Sequence, residues 1–166
     1  MRPFAVTLDV MLLVALVGCE AGPSYTEQWE ADRQQRDQAV RERIQRTPIN
    51  EFRDFLKLEN AIDWFWVADD DEMHALLDTR RRQWYVEHHP ELPVVTLELI
   101  REGKIVIGMT AEHVQASRGW PNKINRSVGS WGVHSQWVYE EGGGIYTLPD
   151  VTYLYLENGV LTSWQD

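Results

Sequence analysis

The stretch Val151-Thr152-Tyr153-Leu154-Tyr155-Leu156-Glu157-Asn158-Gly159-Val160-Leu161-Thr162-Ser163-Trp164 decides the fold. Leu154 and Leu156 alternate with Tyr153 and Tyr155, which is the period of a strand, and the run is too short and too rich in β-branched and aromatic residues for a helix. Asn158-Gly159 supplies two residues that accept positive φ, so the stretch reads as two antiparallel strands joined by a two-residue turn. Working towards the N-terminus, Ser135–Tyr139 and Ile124–Val128 are two further runs of the same kind. Gly142-Gly143-Gly144 with Thr147-Leu148-Pro149 reads as a loop between strands. It is not a phosphate cradle, since no Lys-Ser/Thr follows and no helix opens there. The C-terminal third is predicted to be an antiparallel meander.

Upstream of Pro121 the period changes to that of helices. Thr110 is placed as the N-cap of a short helix, with His113 where a capping-box acid would stand, and Arg118-Gly119-Trp120-Pro121 ends it. Lys104 to Gly108 is a link. Residues 93–102 read as a helix with Gly103 at its C′ position, and strand is the rival reading because Val and Thr are frequent. Asp69 is expected to cap a helix running through Leu76, Leu77 and Trp84 to His88-His89, with Glu72 as its capping partner. Arg80, Arg81 and Arg82 then lie towards the end favoured by the helix dipole. The run Asp69-Asp70-Asp71-Glu72 lacks the alternating oxygen ligands of a calcium loop, and adjacent His88 and His89 project about 100° apart on a helix.

Residues 52–66 carry an apolar stripe, Phe52, Phe55, Leu56, Leu58 or Glu59, Ile62, Phe65 and Trp66, which predicts a helix packed on the core. Trp64-Phe65-Trp66 is assigned to that core and not to a ligand platform. Residues 25–46 form a highly charged helix with few apolar positions, Trp29, Ala39, Val40 and Ile44. Asp32 with Arg36 and Asp37 with Arg41 are spaced as helical pairs. A solvated spacer is expected, with a partner-binding helix as the alternative, and Thr47-Pro48 ends it. The fold class is therefore α+β, helices packed on a small antiparallel meander in residues 93–166, preceded by an extra helical region in residues 25–92.

The N-terminal segment points to location. Val10 to Val17 is an apolar run of eight, far short of the ~20 residues that span a bilayer. Arg2 precedes it and small residues follow, the order of a secretory signal over residues 1–18. Leu16-Val17-Gly18-Cys19 resembles the lipobox of bacterial lipoprotein precursors. That resemblance implies cleavage between Gly18 and Cys19 and a diacylglyceryl group on the Cys19 sulfur, with residues 19–24 as a tether. Two acyl chains give the stable anchoring that one chain does not. Glu20 in place of Asp implies, for this class, the outer membrane facing the periplasm, with the inner membrane as the alternative. One cysteine forms no internal disulfide and no thiolate zinc site. A net charge of -10 excludes a nucleic-acid partner held by phosphate contacts and disfavours anionic head groups.

Ile107-Gly108-Met109-Thr110-Ala111-Glu112-His113-Val114, Gly119-Trp120-Pro121, Gln136-Trp137-Val138-Tyr139 and Tyr153 to Leu161 together resemble the SmpA/OmlA (BamE-like) family of outer-membrane lipoproteins, over about residues 94–166. The family implies two helices on one face of a small antiparallel sheet and a binding or scaffolding role without cofactor or catalytic residues. Its motif positions Gly108, Met109, Thr110, Gly119, Pro121, Trp137, Tyr139, Asn158 and Gly159 have structural roles. The expected function is a lipid-anchored interaction protein, accessory to outer-membrane protein assembly or envelope integrity. Its partners would be the membrane, through the lipid, and another envelope protein. The alternative is a stand-alone periplasmic lipoprotein that binds a soluble protein or glycan through Trp120, Trp131 and Trp137. No spacing-dependent catalytic pattern occurs, and His134 near Ser130 and Ser135 is the one cluster that a hydrolase would use.

Overall fold

Asn158 and Gly159 take φ of 51° and 81°, the paired positive values of a type I′ turn. The chain accordingly reverses from β3 (Asp150–Glu157) into β4 (Val160–Gln165). With β1 (Lys123–Gly129) and β2 (Gly132–Glu141) they form a four-stranded sheet in the order β1-β2-β3-β4, every neighbour antiparallel. The computed structural model describes residues 23–67, 70–142 and 148–166, so Asp69, expected as an N-cap, and most of the glycine loop lie outside the described residues.

Two turns meet at one end of the sheet. Asn158 donates its backbone N–H to Val133 O at 2.8 Å and accepts from Val133 N at 3.0 Å through its side chain. Gly132, with φ of 116°, sits beneath that amide, and a Cβ there would lie 2.5 Å from Asn158 Oδ1. The register pairs Trp137 with Leu154 and Ser135 with Leu156 on one face. Trp137, Tyr139, Leu154, Leu156 and Leu161 pack there on Met109 and Val114. The opposite face carries Gln136, Val138, Tyr153 and Tyr155.

α5 (Ala111–Arg118) begins where Thr110 Oγ1 accepts the His113 N–H at 3.2 Å. The turn before it is stitched to β4, since Gly108 N donates to Leu161 O at 2.8 Å and Leu161 N to Met109 O at 2.8 Å. α4 (Val94–Arg101) settles the helix-or-strand question for residues 93–102. It closes with a Schellman pair, Gly103 N to Ile100 O at 3.0 Å and Lys104 N to Leu99 O at 2.9 Å. α3 (Asp70–His88) is the long central helix.

α2 (Asp54–Asn60) is shorter than its apolar stripe predicts. The Asp54 carboxylate accepts the N–H groups of Asn50 and Glu51, which with Lys57 hold its pKa down to about 2 and set the start of the helix. The helix ends at Ala61 and the chain resumes as a single 3-10 turn, Trp64–Trp66. Phe55, Leu58 and Ile62 are buried, but Phe65 is 83% exposed. The expectation that Phe65 belongs to the core is thus corrected, because the break at Ala61 takes later residues off the helical period.

α1 (Tyr25–Arg46) is opened by a capping box in which Ser24 N donates to Glu27 Oε2 at 2.6 Å and Glu27 N to Ser24 Oγ at 3.3 Å. Ser24, expected in the tether, is therefore the N-cap. Most of α1 faces solvent, yet Ile44 is completely buried and Val40 packs beside it on Phe55, Met73 and Leu77. The spacer reading holds for the early turns and is corrected for the last ones. A third cluster, Tyr85 with Ile100 and Ala116, joins the helical region to residues 93–166.

The three consecutive arginines of α3 do something other than offset their own helix dipole. Successive residues step about 100° around a helix, and the three serve two different neighbours. Arg80 donates to the carbonyls of Ile44 and Thr47, the free C-terminal acceptors of α1. Arg81 and Arg82 reach Ala116 O and Ser117 O at the end of α5, the closest contact being Arg82 Nε to Ser117 O at 3.0 Å. α3 thereby supplies the capping groups of two other helices.

Candidate functional site

The motif positions divide into turns and core. Met109 and Trp137 are buried in the sheet cluster. Tyr139 is buried too, and its hydroxyl donates to Gly119 O at 3.0 Å. Burial pushes the Tyr139 phenol above its ordinary range, so it stays a donor. Gly119, with φ of 83°, does more than end α5: a Cβ there would come within 3.0 Å of Arg81 Nη1. Arg81 is only 1% exposed and is paired with Asp78 at 2.6 Å. Gly119 is therefore the place where a buried guanidinium lies against bare backbone.

The tryptophans expected to form one binding surface fall in three environments. Trp137 is core, Trp120 stacks on Phe52 with ring centroids 5.1 Å apart, and Trp131 stands 64% exposed in the β1–β2 turn. Alternation along β2 also separates the serine-histidine cluster, because neighbouring His134 and Ser135 face opposite sides of the sheet. His134 faces Glu157 across the strands, Nδ1 to Oε1 at 3.9 Å. His88 and His89 stack on Trp84 and Tyr85, with centroids 4.0 Å and 4.2 Å apart. Among the described residues no group of three or more His, Cys, Asp or Glu is arranged to hold a metal ion.

Two features remain accessible. The first is the sheet itself. Its helix-covered face is closed over Leu154, Leu156 and Leu161 but not over β1, where Ile124 and Val128 are 50% and 66% exposed. β1 pairs with β2 alone, leaving its outer edge unpaired. The far face carries a cross-strand polar ladder, Asn125 Nδ2 to Gln136 Oε1 at 2.9 Å and Gln136 Nε2 to the Tyr155 hydroxyl at 3.3 Å.

The second is a cleft of about 810 Å³ at the junction of α2, α3, the end of α5 and β2. It continues past Glu59, His74, Trp120 and Asn122 into an arm of about 510 Å³ with Trp64 and Pro121 in its walls. Trp64 is fixed by a bond from its Nε1 to Glu59 O at 3.2 Å and by stacking on His74 at 3.7 Å. Among the described residues, the buried Glu59 Oε2 finds no hydrogen-bond partner. Burial raises the Glu59 pKa, with Arg81 opposing the shift. The only local sign of Glu59 is a carboxylate inside the apolar stripe of residues 52–62. Arg81 gives no local sign beyond belonging to an arginine run.

Gly18 and Cys19, the expected cleavage and lipidation positions, lie outside the described residues. Among those described, no helix is long and apolar enough to cross a membrane. Comparison with protein-family models, curated proteins and solved structures finds no match for this chain. The class that fold and site define is an α+β protein, with five α-helices beside a four-stranded antiparallel meander, an open sheet edge and a polar cleft among the described residues.

Proposed function

We propose that the chain is a lipid-anchored envelope protein of the SmpA/OmlA, BamE-like kind. Its folded part acts as a protein-interaction module, accessory to outer-membrane protein assembly or envelope integrity. Cys19 carries the lipid, and the protein faces the periplasm from the outer membrane. The turn at Gly108-Met109-Thr110, the Gly119 stop and the Asn158-Gly159 hairpin occupy places consistent with that family's motif.

The observation that carries the interaction role is the β1 edge. Exposed strand edges pair readily with other chains unless they are covered or charged. Here Ile124 and Val128 flank Arg126 on one face of a strand whose outer edge has no partner strand among the described residues, and Trp131 is exposed in the adjoining turn. An extended partner segment added to that edge gains main-chain hydrogen bonds, with Ile124 and Val128 contributing side-chain contacts.

The test places a photo-crosslinking residue at Val128, and separately at Gln34 on the exposed part of α1, in cells making the full chain. A discrete crosslinked envelope protein from position 128, lost when Ile124 is changed to lysine, supports the reading. Crosslinking from position 34 but not from 128 overturns the role of β1. In parallel, a lipid-sized mass gain on a chain beginning at Cys19, lost with membrane attachment in Cys19→Ala, supports the anchor. A soluble, unprocessed chain overturns it.

A further inference from the structure

We propose that the cleft at the junction of α2, α3 and β2 binds a monovalent organic cation, a guanidinium or alkylammonium group. Glu59 is the counter-ion, and the indoles of Trp64 and Trp120 form the walls. The proposal depends neither on the lipid anchor nor on the β1 edge.

Four observations converge. The two connected cavities, about 810 and 510 Å³, fall in the range of small-ligand sites. A buried acceptor without a donor is costly in a folded protein and calls for a partner, and Glu59 Oε2 is such an acceptor at the point where the two cavities meet. The cleft's own guanidiniums form their ion pairs with carboxylates other than Glu59: Arg81 and Arg82 with Asp78, and Arg118 with Glu141. Among the described lining residues of the larger cavity, carboxylates outnumber guanidiniums six to three, so an anion is disfavoured.

A fifth observation selects the kind of cation. Trp64 is held by stacking on His74 and Trp120 by stacking on Phe52, so both indoles are positioned before any ligand arrives. Indole rings beside a carboxylate suit a flat or alkylated organic cation, which gains from the π system as well as from the charge. A divalent metal ion needs six or more oxygen ligands or a compact nitrogen and sulfur set. Among the described residues no group of His, Cys, Asp and Glu is arranged to provide that.

The cation can come from a free amine or from a basic side chain of a peptide. Titration calorimetry therefore uses two probes, ethylguanidinium and acetyl-Gly-Arg-Gly-amide, with the citrulline peptide as the uncharged control. Indole ¹⁵N–¹H spectra report on Trp64 and Trp120, and Glu59→Gln is measured beside the parent. The expected result is saturable binding of at least one guanidinium probe at millimolar concentration or below, with both indole signals shifted. Binding should weaken by roughly tenfold or more in Glu59→Gln and for citrulline. Tighter binding of ethylguanidinium identifies a small-molecule site, and tighter binding of the peptide a site for a basic segment. Glu59→Gln keeps the side-chain shape and removes an uncompensated charge, so the variant folds, and the citrulline control needs no variant at all. Failure of both probes to saturate, or equal affinity for parent and Glu59→Gln, overturns the proposal.

Discussion

Replacing Arg81 should destabilise the protein out of proportion to the loss of one surface charge. The side chain is 1% exposed, pairs with Asp78 at 2.6 Å and reaches the carbonyls of Ala116 and Ser117. In Arg81→Ala two stem methylenes lose their burial, at about 0.8 kcal/mol each. The Ala116 carbonyl loses its guanidinium donor, at about 1–3 kcal/mol. The Asp78 loss is small, because that carboxylate is a third exposed and keeps Arg82 at 2.9 Å. Together these predict a loss of about 4 kcal/mol for Arg81→Ala, and about half of that for Arg81→Met, which retains the packing stem. Urea unfolding followed by tryptophan fluorescence and far-ultraviolet circular dichroism measures both, by linear extrapolation. A loss below about 1 kcal/mol for Arg81→Ala, or identical losses for the two variants, refutes the reasoning that this guanidinium joins α3 to the end of α5.

Three further outcomes are expected. Gly132→Ala drives a Cβ to 2.5 Å from Asn158 Oδ1 at a φ of 116°; displacing that amide and straining the backbone should cost about 2 kcal/mol in thermal or urea melts, and an unchanged midpoint would contradict the packing of the two turns. Thr110→Ala removes the cap of α5 and should cost about 1 kcal/mol, with Thr110→Ser recovering most of it by the same assay. For Glu59 the folded pKa is raised, chiefly by burial. Between its ordinary unfolded pKa and the raised folded one the native chain holds more protons, so this group's contribution to stability falls as pH rises. Glu59→Gln should therefore be the more stable chain at neutral pH, with its advantage shrinking under acid conditions. An advantage that grows on acidification would show the sign to be wrong.

The features readable from the chain were those in which a residue acts on its own neighbours. Asn158-Gly159, Thr110, Gly103 and Pro48 each fix a local dihedral or bond, and the strands and helix ends fall where those residues put them. The Ser24–Glu27 capping box was equally local, since its serine stands three residues before its glutamate, yet it was hidden in what read as a tether. What could not be read is whatever depends on partners far along the chain. Arg80, Arg81 and Arg82 look alike in sequence and cap two different helices. Trp120, Trp131 and Trp137 look like one aromatic surface and occupy three settings. The cleft was least legible of all, because Trp120 lies far along the chain from Glu59 and Trp64 and only the tertiary fold brings it beside them.

Because Ile44 is locked into the core while the early turns of α1 stand in solvent, that helix is a rigid pointer with one clamped end. Its 22 residues span about 33 Å at 1.5 Å per residue, and whatever is joined to Ser24 inherits both that reach and a set compass bearing. Inserting one residue in the exposed turns swings the bearing by about 100° while lengthening the pointer by only about 1.5 Å; inserting seven restores it to within about 20° and adds about 10 Å. Direction and distance can thus be varied almost independently along this one helix, which makes it a vernier for how the sheet is presented to its surroundings.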